Sequence, residues 1–291
     1  MRVLVTGSRG HLASWVLDTI PAGAHVVGLD IKNGPEEDVR GKHAAAMAAD
    51  ADVILHLAAL IDVAASVRDP ETTRSVNVEG TRNLLESVRP GSLFIFVSSA
   101  AVYGDAGLRP IGESVALQPS SPYGESKADG ERLVADMAKT RGFRAVVVRP
   151  FNLYSGRQDP ANPYSGVITR FMRACLNEQP IMIHGDGQQT RDFIHASDVA
   201  SFLWVCARDP RATGQTFNVG SGDGITILDL ALMVQQVALV EVPIEHGPAR
   251  DGDIRHSQAD VTRALSLGWR PRVPLREGLG ETLKGLKDRL S

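Results

Sequence analysis

The sequence predicts an α/β fold, a doubly wound parallel sheet with a smaller C-terminal α/β lobe. Three observations carry that prediction. Short β-branched runs alternate with longer stretches of helical spacing through the first half of the chain. Those runs are apolar throughout instead of alternating with polar residues. Near residue 151 the texture changes to long polar loops. Strand–helix alternation sets successive strands side by side through right-handed crossovers, and a continuous apolar run suits a strand covered on both faces.

In chain order, "RVLVT" (2–6), "HVVGL" (25–29), "DVILHLA" (52–58), "LFIFVSS" (93–99) and "RAVVVRP" (144–150) are the expected strands. Between them "LASWVLDTI", "ETTRSVNVEGTRNLLESV" and "SKADGERLVADMAKT" repeat apolar residues at helical spacing. Segment 31–50 reads as a loop, a short strand at Asp38–Val39 and a weak alanine helix. Beyond 151 come the polar loop "FNLYSGRQDPANPYSG", a helix near 165–178, a short strand "IMIHG", and a helix in "HASDVASFLWVCARD" placed to return to the first sheet. The expected lobes are therefore 1–151 joined by about 196–219, and 152–195 with 220–291.

At 291 residues the chain exceeds the usual size of one core. A net charge of −3 without a basic run argues against nucleic-acid binding. The two cysteines, Cys175 and Cys206, lie far apart in apolar helical contexts, and the eight histidines show no ligand spacing. Neither a disulfide nor a protein-held metal is expected. With no secretory leader and no apolar run of membrane-spanning length, the expected location is the cytoplasm.

Chemistry enters at "VLVTGSRGHLASWVL". Gly7, Gly10 and Ala13 follow the first strand and open a helix, the turn that brings backbone N–H groups and a helix N-terminus to a pyrophosphate. Asp30 ends the second strand about 20 residues later, where a carboxylate accepts both ribose hydroxyls and repels a 2′-phosphate. NAD is thus expected in preference to NADP, on a Rossmann lobe. "SPYGESK" (121–127) is a helix start, Ser121 capping and Pro122 in the first turn. It also sets Tyr123 and Lys127 on one helix face. Ser99 lies at the end of a strand, the edge where such sheets bind ligands.

"TGSRGHLA", "DVILHLAA", "NVEGTRNLLE", "FVSSAAVYGD", "SPYGESK", "RPFNLY", "GDGQQTRDFIH" and "RDGD" occur in the order found in extended short-chain dehydrogenases/reductases. The chain resembles their NAD-dependent sugar-nucleotide epimerase/dehydratase branch over residues 2 to about 285, with the pattern of the UDP-glucose 4-epimerases in particular. The resemblance implies a catalytic set of Ser99, Tyr123 and Lys127. A neighbouring ammonium and the nicotinamide ring are expected to bring the tyrosine, ordinarily near pKa 10, into the range of a useful base. It also implies that Asp38 and Val39 contact adenine, that Leu57, Ala58 and Ala59 line the cofactor groove, and that Asn77 approaches the nicotinamide. Asn152, Arg191 and Arg250 match diphosphate binders, suited by their donors to phosphate oxygens. Asp253 matches a ribose acceptor. Phe151 matches a residue beside nicotinamide or sugar, with a plain core role equally open.

Helices 71–89 and 123–141 resemble those that pair across a homodimer; burial of their apolar stripes within the monomer is the other explanation. Dehydratases of the branch carry an acid pair directly after the hydroxyl residue, where this chain has Ala100 and Ala101. The implied reaction is epimerisation at C4 of a nucleotide-diphosphate sugar, a UDP-hexose foremost. A 5-epimerase, a 4-ketoreductase, a dehydratase using other acids, and a non-catalytic nucleotide sensor are the alternatives. Ala13 departs from the usual third glycine, and Ile61 stands where relatives can carry a polar sugar contact.

Overall fold

The computed structural model describes residues 1–107, 110–158, 166–249 and 253–290. Five strands, β1 (Arg2–Thr6), β2 (His25–Leu29), β3 (Val53–His56), β4 (Leu93–Val97) and β5 (Arg144–Pro150), carry the first half of the chain. Helices α1 (His11–Asp18), α2 (Lys42–Asp50), α3 (Val63–Arg68), α4 (Pro70–Arg74), α5 (Gly80–Leu85) and α6 (Pro122–Arg141) alternate with them. The second half adds β6 (Asn152–Tyr154), α7 (Val167–Leu176), β7 (Ile181–His184), β8 (Thr190–His195), α8 (Ala196–Arg208), β9 (Thr216–Val219), β10 (Gly224–Thr226), α9 (Ile227–Ala238), β11 (Ile244–Gly247), β12 (His256–Ser257), α10 (Thr262–Ser266) and α11 (Leu275–Leu290).

The main sheet is parallel, ordered β2-β1-β3-β4-β5-β9. Strand order reverses between β1 and β3, which opens a crevice at their C-terminal ends, the place where open α/β sheets take ligands. Val3, Val5, Val53, Leu55, Ile95 and Val148 point to one face, under α1 and α8; Leu4, Ile54, Phe94 and Phe96 point to the other, under α2, α5 and α6. Burying each such side chain contributes about 1.5–3 kcal/mol before conformational entropy is subtracted. β2 departs from the expectation of two covered faces: it is the edge strand, with His25 and Gly28 exposed.

The expected strand at Asp38–Val39 is absent. A 3₁₀ turn over Pro35–Glu37 stands there instead, and Asp38 follows it in an extended conformation with no strand beside it to pair with. The helix expected at 71–89 is broken into α4, a π-helical turn over Ser75–Glu79, and α5. The segment expected to return does so: α8 packs on α1 and β9 pairs with β5. The chain then crosses back once more, because Ala264, Leu267 and Trp269 join the first core and the Trp269 indole N–H donates to the Ser201 hydroxyl at 2.9 Å. The stretch 220–291 is therefore shared between the two cores.

The second core gathers Tyr154, Phe171, Ile181, Phe193, Leu230, Val234 and Leu283 from β6 to β8 and from α7, α9 and α11. β8 is its centre, flanked by β10, β12 and β6, while β7 and β11 form a separate parallel pair.

Candidate active site

Gly7 follows β1 with φ of +69°, and a Cβ there would stand 2.8 Å from the backbone nitrogen of Ala58. Only glycine fits, so the loop after β3 is drawn against the loop after β1. Gly10 caps α1 without a side chain on the helix N-terminus, which leaves first-turn N–H groups facing the crevice. Ala13 is buried in the first core, where close packing is all the position demands. Asp30 accepts from the backbone N–H of Arg9 and Lys32 at 2.8 and 2.9 Å, and its own N–H donates to Glu37 at 2.7 Å. Its carboxylate is thereby aimed across the glycine turn. An uncapped helix end beside a fixed carboxylate is a donor–acceptor set that fits a dinucleotide, pyrophosphate on the first and ribose on the second.

Leu57, Ala58 and Ala59 continue from β3 as irregular chain, with the N–H groups of Leu57 and Ala58 held by Thr6. Asn77, in the π-helical turn, is fully buried; its amide exchanges two hydrogen bonds with the backbone of Leu60 and donates to the Ser126 hydroxyl at 3.0 Å. It ties the loop after β3 to α6. Asp38 is paired with Arg40, whose guanidinium holds that carboxyl below its ordinary value. Val39 is buried, with its carbonyl accepting from Asn83 at 2.7 Å.

Ser99, Tyr123 and Lys127 converge at the end of β4. Ser99 caps a 3₁₀ turn over Ala100–Tyr103, accepting from the Ala101 N–H at 3.2 Å. The Tyr123 N–H donates to the Ser66 hydroxyl at 3.1 Å and the Tyr123 carbonyl accepts from Ser126 at 2.7 Å, so α3 and α6 together set the start of the helix. Ser121 caps α6 by accepting from the Gly124 N–H, and Pro122 occupies its first turn. Helix cap and converging hydroxyls coexist in one stretch.

Burial pushes the Tyr123 phenol above its ordinary value, and a hydrogen bond with Ser99 offsets part of that rise. Lys127 donates to the Val97 carbonyl at 2.9 Å, its ammonium 5.1 Å from the centre of the Phe96 ring. Burial pulls the ammonium down to about 8, with Glu131 working the other way.

On the far side of the crevice, Arg191 donates to Asp253 at 2.5 Å and to the Ile254 carbonyl at 2.7 Å. Burial draws its guanidinium below its ordinary value, against Asp253 and then Asp105, which follows the Ser99 turn. Asn152 donates to the Asp192 carbonyl at 2.9 Å, and Phe151 packs with Tyr103 and Val102 between the lobes. Arg250 lies outside the described residues. Sequence reasoning missed Ser66, and it missed the ion pair of Glu131 with Arg149 behind Lys127. Its one legible trace was a charged residue inside the apolar run "VVVRP".

Among the described residues no group of side chains could hold a metal ion, and no helix is long and apolar enough to cross a membrane.

The chain is similar to the UDP-glucose 4-epimerase of Mycolicibacterium smegmatis, 34% identical over 99% of both proteins. Among solved structures, that of UDP-glucose 4-epimerase from Thermotoga maritima with UDP-glucose superposes with a TM-score of 0.90 at 30% identity, covering 100% of each chain. The UDP-glucuronic acid 4-epimerase of Bacillus cereus, in complex with UDP-glucuronic acid and NAD, gives 0.91 at 27% identity, covering 99% of this chain and all of the other. Residues 3–220 match the family model described as the NAD dependent epimerase/dehydratase family, and with the glycine turn, the Ser99–Tyr123–Lys127 cluster and the doubly wound sheet in place, the chain belongs to that family.

Proposed function

We propose that the protein interconverts the C4 epimers of a nucleotide-diphosphate sugar, a UDP-hexose, by oxidation to a 4-keto sugar and reduction from its other face. Tyr123 takes the proton of the C4 hydroxyl and later returns it, while Ser99 holds that oxygen and shares the proton. When bound, NAD supplies the acceptor and then the donor of the C4 hydride. Gly7, Gly10, Ala13, Asp30, Asp38, Val39, Leu57, Ala58 and Ala59 form the cofactor side in this reading, and Asn77 holds the nicotinamide end of the groove through Leu60 and Ser126. Asn152, Phe151, Arg191 and Asp253, with Arg250, form the substrate side. The Arg191–Asp253 pair is partly open, so an incoming diphosphate can take the guanidinium while a ribose hydroxyl takes the carboxylate.

One observation carries the choice of reaction. The turn after Ser99 presents Ala100 and Ala101 and no carboxylate, so the keto sugar meets no acid there that could drive elimination of water. Rotation and reduction are then the remaining course. Incubation with UDP-glucose should yield UDP-galactose by NMR or chromatography. Tyr123→Phe should lower kcat by about 10²–10⁴, the usual worth of a positioned acid–base group, while bound NAD is retained. A product of dehydration or decarboxylation, or full activity in that variant, would refute the assignment.

The homodimer belongs to the same proposal. Of the apolar residues of the two helices, Val78, Leu84, Leu85, Val88 and Val134 are buried within the monomer, and Val76, Leu133 and Met137 are half-buried against the same core. Glu79, Glu86, Glu125, Arg132 and Asp136 are exposed, so a seam between two copies would be polar and salt-sensitive. Light scattering at low and high salt tests it. The cytoplasmic location rests on the two thiols, buried and unpaired, which fit a reducing compartment.

A further inference from the structure

Behind the reacting set lies a sealed ion pair. Arg149, at the end of β5, grips Glu131 with two parallel hydrogen bonds, Nε to Oε1 at 2.9 Å and Nη2 to Oε2 at 2.6 Å. Glu131 Oε1 also accepts from the Ser98 hydroxyl at 2.5 Å. The third arm of the guanidinium, Nη1, donates to the Tyr103 hydroxyl at 2.7 Å, and that hydroxyl donates to Asn218 on β9 at 2.7 Å. Ser98 and Tyr103 bracket the turn that starts at Ser99. One ion pair therefore fastens both ends of the segment that presents the Ser99 hydroxyl.

Glu131 is also one helical turn beyond Lys127, on the same face of α6. Charged or titratable groups facing Lys127 are Glu131 and Tyr123 from its own helix, His56 from β3, and Arg149 from β5 behind Glu131. Burial pulls His56 down to about 3, so it brings no charge at neutral pH. The only anion near the lysine in this group is Glu131. A buried carboxylate four residues away favours the charged ammonium, and Arg149 keeps that carboxylate in place.

We propose that Glu131, held by Arg149, is a positioning residue for the reacting set: it keeps Lys127 protonated and, through Ser98, fixes the turn that carries Ser99. The proposal rests on the reading of Ser99, Tyr123 and Lys127 as the reacting groups. It needs no change in any of the three.

The test separates charge from scaffold. Glu131→Gln retains the oxygen that Ser98 and Arg149 Nε bind, gives up the bond from Arg149 Nη2, and removes the charge. The chain has six lysines, so the ε-carbon resonance of Lys127 can be assigned in the NAD-bound protein by its loss in Lys127→Met, then titrated by NMR. In Glu131→Gln it should titrate about one pH unit lower than in the wild type. At pH 8 kcat for UDP-glucose should fall roughly fivefold with KM little changed, and the deficit should close by about pH 6, where the lysine is charged in both proteins. A purely structural pair predicts the same deficit at every pH. Should Glu131→Gln fail to fold, Glu131→Met/Arg149→Met, which replaces the pair by apolar side chains of similar size, carries the titration. It should move the lysine titration in the same direction, by less than Glu131→Gln does because the Arg149 charge leaves with the carboxylate, and, with the turn released, give a deficit at all pH values.

An unmoved Lys127 titration in the folded variant overturns the proposal, whatever the activity. Because that titration needs no turnover, a displaced lysine in a protein inactive on UDP-glucose would sink the substrate reading and leave this one standing.

Discussion

Two arginine–carboxylate pairs flank the crevice and differ in kind. Arg149 and Glu131, beneath the proposed reacting set, are 6% and 8% exposed, bidentate, and bonded further to Ser98 and Tyr103. Arg191 and Asp253, on the proposed substrate side, are 15% and 31% exposed and share one bond. Burial lowers both guanidiniums; Glu131 and Tyr103 more than reverse it at Arg149, whereas Asp253 and Asp105 leave Arg191 below its ordinary value. An arginine whose charge is fully answered by the fold has nothing left for a ligand. One whose charge is half answered, at an opening, is a receptor. In the proposed reading the same residue type thus serves as frame at one pair and as recognition at the other, and local bonding is what distinguishes them.

The largest effect that would break this contrast lies at the sealed pair. Arg149→Met leaves Glu131 buried without its partner, and the cost should be about 3–5 kcal/mol, read as a lower midpoint in urea unfolding. Arg191→Met should change stability by less than about 1 kcal/mol, since its partner can turn to water. Its effect falls on binding instead. Loss of charge-assisted hydrogen bonds to phosphate, worth about 1.5–3 kcal/mol, should raise KM for UDP-glucose by roughly 10–150-fold with kcat little altered. If the two variants exchanged behaviour, Arg191 destabilising and Arg149 binding substrate, the division of labour drawn here would be reversed.

The same contrast explains what was legible in the chain beforehand. β1 and β5 fall on the residues their apolar runs marked, because a strand buried in a parallel sheet is written in consecutive residues; β2 falls on its run too, although as the edge strand it is largely uncovered. Gly7 and Asp30 were legible because turn and acid keep a fixed spacing around one crossover. The Asp38–Val39 strand was misread because two residues carry too little pattern, and local pairing with Arg40 decided the outcome. Trp269 returning to the first core left no signal, since its partners on α8 lie 68 and 71 residues away. The sealed pair was hidden for the same reason. Glu131 looks like any exposed helix acid until β5 brings Arg149 over it.

A smaller effect, graded by pH, concerns the seam between the lobes, where neither arginine pair lies. His11, at the start of α1, shares a 2.5 Å hydrogen bond between its Nε2 and the Ser155 hydroxyl. His195 packs against Trp15 and Tyr154 with ring centres 5.1 and 5.4 Å away, and its Nε2 stands 3.4 Å from the Glu281 carboxylate of α11. Burial pulls both imidazoles down to about 4; His195, Arg289 and Arg157 add repulsion at His11, and Arg157 adds it at His195. The sign follows from linkage. Between about pH 6.5 and 4 the unfolded chain takes up protons that the folded seam refuses, so stability falls as the solution is acidified. Each histidine released in this way contributes up to about 1.4 kcal/mol per pH unit across that window. Thermal melts at half-unit steps should record the fall, and His11→Asn should make it shallower while leaving the melting temperature above pH 7 within a few degrees. His195 is the weaker choice for substitution, because its Nδ1 accepts from the Ser197 N–H and so caps α8. A His11→Asn protein with an unchanged slope would move the acid sensitivity away from the seam, to His56 beneath Lys127, where the same burial argument places a third neutral imidazole.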